Sequence, residues 1–260
     1  MLRVTTLKIG ECRAPAWGAG LPGLRRATFP AQATLIETES ACVLVDTGYG
    51  PAFFEATRRL PARIYRWLTP VRLSDGEHLL QQLPRVPDLV FLTHMHADHS
   101  AGLADLPSQT PVVASAEAID DLRQRGDLAS LRAACPPVLR DMILARDPSP
   151  VEARAVVSTG LDEFPLGHDL FGDGRIIAIR LPGHGIGQTG LWLPEVARFL
   201  IADAAFGRRS LRENRLPPAV VLSHLGDAEA YRRTFARLRA LMLRRPEITI
   251  DPSHCPEISR

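Results

Sequence analysis

The chain has 260 residues, 45% of them hydrophobic, with 31 basic and 29 acidic side chains, enough apolar material for one sizeable core or two fused half-domains. The near-balance of charge, with arginines interspersed among acidic and apolar residues, argues against nucleic acid as a partner, and Lys8, the only lysine, leaves no Schiff-base or P-loop lysine. No stretch is apolar for long enough to span a bilayer and the opening MLRVTTLKIG lacks a signal-peptide core, so no membrane partner and a cytoplasmic location are expected.

In chain order, short runs of Val, Ile and Leu between Gly/Pro-rich turns predict strands covered on both faces. They are Val43 to Val45, Leu89 to Leu92, Val112 to Ala114, Ile176 to Leu181, Phe199 to Ala202, Val220 to Leu222 and Ile248 to Ile250. Residues 51–87, with Phe53, Phe54, Tyr65 and Trp67 among prolines, read as an addition to this framework. So do residues 116–150, two or three short helices broken at Gly126 and Pro136-Pro137. Both are either connecting helices with their aromatics in the core or walls of a substrate pocket, and the aromatic segment serves equally well as a homodimer contact. After Asp227, a suitable N-cap, Tyr231, Phe235, Leu238 and Met242 fall on one helical face. The whole of 1–260 is expected to form a single α/β domain without short-period repeats. Cys12, Cys42, Cys135 and Cys255 are far apart and form no C-x-x-C pair, so free, mostly buried thiols are expected; Cys255 stands beside His254.

Potential metal ligands gather where these strands end. Leu89 to Leu92 leads into His94, His96, Asp98 and His99; Ile176 to Leu181 leads into His184; Phe199 to Ala202 leads into Asp203; and Ile248 to Ile250 leads into His254. Strands buried in a sheet are stiff, and side chains at their ends can be held within the tolerance that metal geometry needs. His94 and His96 lie two apart in extended backbone and share a side, whereas Asp98 and His99 open a helix running through Leu103. Seven candidates exceed what one tetrahedral ion uses, which predicts two divalent ions. Nitrogen and carboxylate ligands suit zinc first, with manganese, iron, cobalt and nickel also admitted.

Thr93 followed by H-x-H-x-D-H and Ser100-Ala101-Gly102-Leu103 closely resembles the signature of the metallo-β-lactamase superfamily. Val45-Asp46-Thr47-Gly48, Pro182-Gly183-His184, Asp203 and His254 complete an ordered set over residues 42 to 254, almost the whole chain. The resemblance implies a four-layer αββα sandwich with the site at one edge of the inner sheets. It further implies one metal on His94, His96 and His184, a second on Asp98, His99 and His254, Asp203 bridging them, and Asp46 as support.

Such a site is expected to hydrolyse a carbonyl ester with a metal-bridging hydroxide, Asp98 orienting it and passing a proton to the leaving group. His99 and the bridging Asp203 resemble lactonases, glyoxalase II-type thioesterases and phosphodiesterases more than true β-lactamases, and the layout is most similar to the N-acyl homoserine lactonase branch. A small ester or lactone is the expected substrate; thioester or phosphodiester hydrolysis and a mononuclear iron enzyme similar to persulfide dioxygenases are the alternatives. One departure is Phe206, where that branch often has a tyrosine. Phenylalanine cannot donate to a lactone carbonyl, which leaves His224 or Arg208 as candidate substrate-binding groups beside Phe206. His78 and His168 lie in polar segments and are expected to be bystanders.

Overall fold

A strand that is apolar at every position has two faces to bury, so the uninterrupted runs of this sequence need cover on both sides. The computed structural model of the chain describes residues 1–23 and 25–257, with the side chains of residues 224 and 225 outside that description, and it supplies the cover with two sheets back to back. One sheet contains β1 (Arg3–Pro15), β2 (Arg26–Glu37), β3 (Cys42–Val45), β4 (Val71–Arg72), β5 (Leu89–Phe91), β6 (Val112–Ala114) and β7 (Ser149–Pro150), in the spatial order β4-β1-β2-β3-β5-β6-β7. The other contains β8 (Val156–Ser158), β9 (Leu166–Asp169), β10 (Ile177–Arg180), β11 (Thr189–Leu193), β12 (Arg198–Ala202) and β13 (Thr249–Pro252), in the order β13-β12-β11-β10-β9-β8.

Successive residues of each strand go to different cores, as the period of two requires. Val43 and Val45 of β3, with Leu89 and Phe91 of β5, enter the core between the sheets, where they meet Ala178 of β10 and Leu191 of β11. Cys42, Leu44 and Val90, the alternate positions, enter an outer core. Ile177 and Ile179 of β10 do the same on the opposite side.

Helices close both outer cores. Over the first sheet lie α1 (Pro51–Ala56), α2 (Arg63–Leu68), α3 (Leu79–Gln82), α4 (Ala97–Ser100), α5 (Ala116–Gln124), α6 (Asp127–Arg132) and α7 (Pro137–Leu144); Phe53, Leu79, Leu122, Leu139 and Ile143 are buried there. After β12 come α8 (Arg208–Arg212), α9 (Ala219–Leu225) and α10 (Ala228–Arg244), whose Tyr231, Phe235, Leu238 and Leu241 cover the second sheet. The Asp227 carboxylate accepts from the N–H groups of Glu229 and Ala230 and caps α10 as expected. Three cores in succession make the four layers of an αββα sandwich.

The structure departs from the sequence reading at two places. Val220 to Leu222, expected as a strand, lies within α9: Pro217 and Pro218 cannot donate to a sheet ladder but fit just ahead of a helix. The long antiparallel hairpin β1–β2, paired from Arg3↔Glu37 to Pro15↔Arg26, was not among the predicted runs because its strands mix polar and apolar residues. Of the aromatic residues in 51–87, Phe53 is fully buried in the core, Tyr65 is half-buried, and Trp67 is 57% exposed.

Gly183 sets how closely the turn before His184 approaches α10. Its φ is +136°, and a Cβ there would sit 2.3 Å from the backbone N and Cα of Tyr231. Gly183→Ala is therefore expected to lower stability by about 3 kcal/mol, read as a shift of the denaturant midpoint. Gly126→Ala, where an added Cβ meets nothing within 4 Å, should stay near wild type in the same titration.

Candidate metal centre

The ends of β3 and β5 are tied together before any ligand is placed. Asp46, just after β3, accepts from the Thr93 N–H (2.8 Å to Oδ1) and the Thr93 hydroxyl (2.8 Å to Oδ2), and its Oδ2 lies 2.7 Å from His99 Nδ1. His94 follows Thr93, His96 stands at the N-cap of α4, and Asp98 and His99 lie on that helix. The turn after β10 carries His184, β12 runs into Asp203, and β13 into His254. Asp46 and Ala202 both have positive φ, 57° and 49°, an arrangement that costs about 1–3 kcal/mol for a non-glycine residue and clusters at functional sites.

All seven predicted ligands converge. One ligand atom from each of His94, His96, His184 and Asp203 lies within 4.8 Å of the others, and the same holds for Asp98, His99 and His254. Asp203 stands between the groups: its Oδ2 is 3.1 Å from His184 Nε2, 3.1 Å from His254 Nε2 and 4.0 Å from His94 Nε2, and its Oδ1 is 3.4 Å from His99 Nε2. Across the first group His184 Nε2 lies 3.2 Å from His96 Nδ1, and across the second His254 Nε2 lies 3.4 Å from Asp98 Oδ2.

Three of the outward ring nitrogens have partners of the kind that orient metal-ligating imidazoles, whereas His184 Nδ1 is buried without one. His254 Nδ1 is 2.8 Å from the Pro30 carbonyl, His99 Nδ1 faces Asp46, and His94 Nδ1 is 3.1 Å from the Thr93 hydroxyl oxygen. His94 Nε2, His99 Nε2 and Asp203 Oδ1 are buried and unsatisfied, a state that costs about 1–3 kcal/mol per group unless something binds there. Unsatisfied nitrogens and a carboxylate oxygen turned toward shared centres are what divalent cations would satisfy, and the donor set fits two of them.

Electrostatics divide the histidines. Burial, then the neighbouring rings, hold His94 and His96 well below the ordinary range, so both are neutral. Burial also opposes charge on His99 and His254, but carboxylates outweigh it: Asp46, Asp203 and Asp98 push His99 well up, and Asp203 and Asp98 raise His254 to about 9. Burial opposes ionisation of Asp203, yet His254, His99 and His184 hold it well below the usual carboxylate range.

Above the groups opens a cavity of about 330 Å³ bordered by His96, Asp98, His184, Asp203 and His254. Its other walls are mostly apolar and come from the tip of the β1–β2 hairpin (Ala14, Trp17, Phe29), from Phe206, and from Tyr49 and Tyr65. The hairpin tip, Tyr49 and Cys12 were not among the predicted site residues. Phe206 packs edge-on against His184 and stacks on His254, with ring centroids 5.7 and 6.3 Å away. Burial, reinforced by Asp98, pushes the Cys12 thiol up to about 12, so it is not a thiolate nucleophile.

Arg208 turns away from the cavity, its Nε donating to the Ile250 carbonyl (2.8 Å) and its guanidinium pairing with Asp251. The His224 side chain lies outside the described residues. Cys255 is buried, its sulfur 3.4 Å from the Arg208 N–H. His168 lies on β9 with Nδ1 3.2 Å from the Arg154 carbonyl, and His78 precedes α3; neither belongs to a ligand group.

The family model described as the metallo-beta-lactamase superfamily matches residues 26–243. No curated protein matches the chain. Among solved structures, an N-acyl homoserine lactone hydrolase with the product N-hexanoyl-L-homoserine at its catalytic metal centre is similar at TM-score 0.71 and 15% identity, over 98% of this chain and 94% of that one. A variant of the B. thuringiensis protein AiiA with N-decanoyl-L-homoserine in its active site gives the same values. AidC, described as a dizinc quorum-quenching lactonase, is similar at TM-score 0.64 and 16% identity, over 98% and 88%.

A charged His254 in the metal-free protein gives a signed pH dependence. Its folded value of about 9 exceeds the ordinary 6.5, so the stabilisation is complete below 6.5 and lost as pH rises through 9. A divalent ion has to displace the same proton, so its binding strengthens over that window. The gap in melting temperature between ion-loaded and chelator-treated protein is expected to widen from pH 6.5 to 9; a gap that stays level or narrows contradicts His254 as a ligand.

Proposed function

The chain belongs to the metallo-beta-lactamase superfamily, and from that membership we propose that it is a dinuclear metal-dependent hydrolase of small carbonyl esters, with a lactone bearing an apolar chain as its substrate. The observation that carries the reading is two ligand groups at the floor of a mostly apolar cavity, with the Asp203 carboxylate 3.1 Å from His184 of one group and 3.1 Å from His254 of the other. His94, His96 and His184 would hold one ion, Asp98, His99 and His254 the other, and Asp203 both; zinc fits the nitrogen and carboxylate donors and is the metal named for one structural neighbour. When bound, the ions would supply Lewis acidity and a water ionised near neutral pH.

The side chains of the protein do the rest. Asp98 borders both the second ligand group and the cavity, so its carboxylate can accept the proton of the attacking water and return it to the alkoxide leaving group. Asp203, held ionised by its histidines, lies between the two groups and would set their separation. Trp17, Phe29 and Phe206 exclude water and accommodate an apolar chain. Phe206 has no hydroxyl, and Tyr65, half-buried on the cavity wall, provides the phenol that can donate to the substrate carbonyl.

Two further observations favour this reading over its alternatives. No lysine or arginine lines the cavity among the described residues, which disfavours a phosphodiester. A mononuclear iron site would leave the second group, Asp98, His99 and His254, without a role. The acyl-homoserines bound in two structural neighbours agree with a lactone.

Metal-loaded protein is expected to release acid from acylated lactones, faster as the chain lengthens, in a pH-indicator assay; no release from lactones, esters or thioesters defeats the proposal. Asp98→Asn should lower kcat by about 100-fold or more. Tyr65→Phe should lower kcat at least about tenfold while metal content is unchanged; an unaltered kcat removes Tyr65 from the mechanism.

A further inference from the structure

The segment that supplies Tyr65 to the cavity turns a different chemistry outward. Residues 56–74 contain five arginines and no acidic residue. Most arginines on the second sheet and its helices are ion-paired, as Arg175, Arg198, Arg208, Arg212 and Arg244 are. Among the described residues, Arg59, Arg63, Arg66 and Arg72 have no ion pair, and Arg58 has one contact, at 3.7 Å, with the exposed Glu55. Arg26 extends the basic face: its guanidinium reaches the Leu68 carbonyl, 3.1 Å away.

Large apolar side chains stand among these charges. Leu60 is 65% exposed, Ile64 45%, Trp67 57% and Leu68 65%, and no residue of α2 is buried. Arg63 lies over the Trp67 ring, with its guanidinium carbon 5.4 Å from the centroid. Arginines around an exposed Trp/Leu/Ile surface are the composition of a helix that lies in the headgroup region of an anionic bilayer.

We propose that α2 and its flanks, residues 58–72, dock on an anionic lipid surface and bring the side of the cavity lined by Tyr65 and Thr69 toward the acyl-chain boundary. This goes beyond the proposed reaction and does not rest on it. No helix among the described residues is long and apolar enough to cross a membrane; α2 would lie on the surface. A second copy is the poorer occupant, because a two-fold contact sets the same patch against itself and opposes arginine to arginine. Nucleic acid is poorer too: phosphates would engage the arginines but leave Leu60, Ile64 and Leu68 in water. The lipid surface satisfies both at once, and an amphiphilic substrate dissolved in it could enter the cavity by lateral diffusion.

The test is co-sedimentation of the full chain with vesicles of phosphatidylcholine alone or mixed with phosphatidylserine, together with tryptophan emission and the oligomeric state in solution. Binding is expected only with phosphatidylserine, weakening as salt is raised, with a blue shift that Trp67→Phe reduces. Arg59→Glu combined with Arg63→Glu should lower the bound fraction at least about tenfold. Trp67→Ser with Leu68→Ser should do the same; all four side chains are outward-facing, and unchanged melting temperatures exclude misfolding. No binding to either vesicle, equal binding to both, a dimer that the arginine variant converts to monomer, or preferential capture of an oligonucleotide would each overturn the proposal.

Discussion

The Asp46 carboxylate is the fixed point on which the site depends. It accepts from the backbone and hydroxyl of Thr93 and faces the ring of His99, so one buried side chain joins the end of β3, the end of β5 and helix α4. Thr93 passes the constraint to His94 through its hydroxyl oxygen. Two of the candidate ligands are therefore oriented by a residue that belongs to neither group. In a low-dielectric interior such hydrogen bonds are strong when complete and expensive when broken. The left-handed backbone at Asp46 is tolerated because the interactions it makes over-determine it.

From that point outward the protein divides into a rigid floor and a shaped wall. The floor is assembled from strand ends of both sheets and from α4, and its polar atoms are buried with few alternatives. The wall comes from the β1–β2 hairpin tip, the segment around Tyr65, and Phe206, none of which contributes a ligand. The proposed chemistry belongs to the floor and the proposed choice of substrate to the wall. Phe206 belongs to both, since its ring contacts His184 and His254 while its edge shapes the cavity.

What could be read from the sequence follows the same division. The apolar runs of β3, β5, β6, β10, β12 and β13 were visible because strands covered on both faces carry an almost purely hydrophobic signal, and the ligand candidates stood just after β5, β10, β12 and β13. The β1–β2 hairpin was not, because one face of it is partly wetted and Lys8 and Gln32 interrupt the pattern. Tyr49 and Cys12 reach the cavity only through tertiary packing, and nothing local distinguishes them from core residues. Val220 to Leu222 misled because three apolar, mostly β-branched residues look like a strand until the two prolines ahead of them are given weight. The five arginines of the α2 segment stand together in the sequence, but that Leu60, Ile64, Trp67 and Leu68 are exposed beside them is a matter of tertiary packing, and Arg26 joins from a distant strand.

The order in which the chain delivers its ligands separates the two groups in time. His94, His96, His184 and Asp203 are all present once β12 has been made, whereas His254 follows Asp203 by 51 residues and arrives on β13, which pairs parallel with β12 at the sheet edge. During synthesis the residues of the first group are all made while the second group still lacks His254, and α10 lies between Asp203 and β13 in the chain. Of the two histidines 3.1 Å from the Asp203 carboxylate, His184 precedes it in the chain and His254 follows it. The last strand thus completes both the sheet edge and the second ligand group.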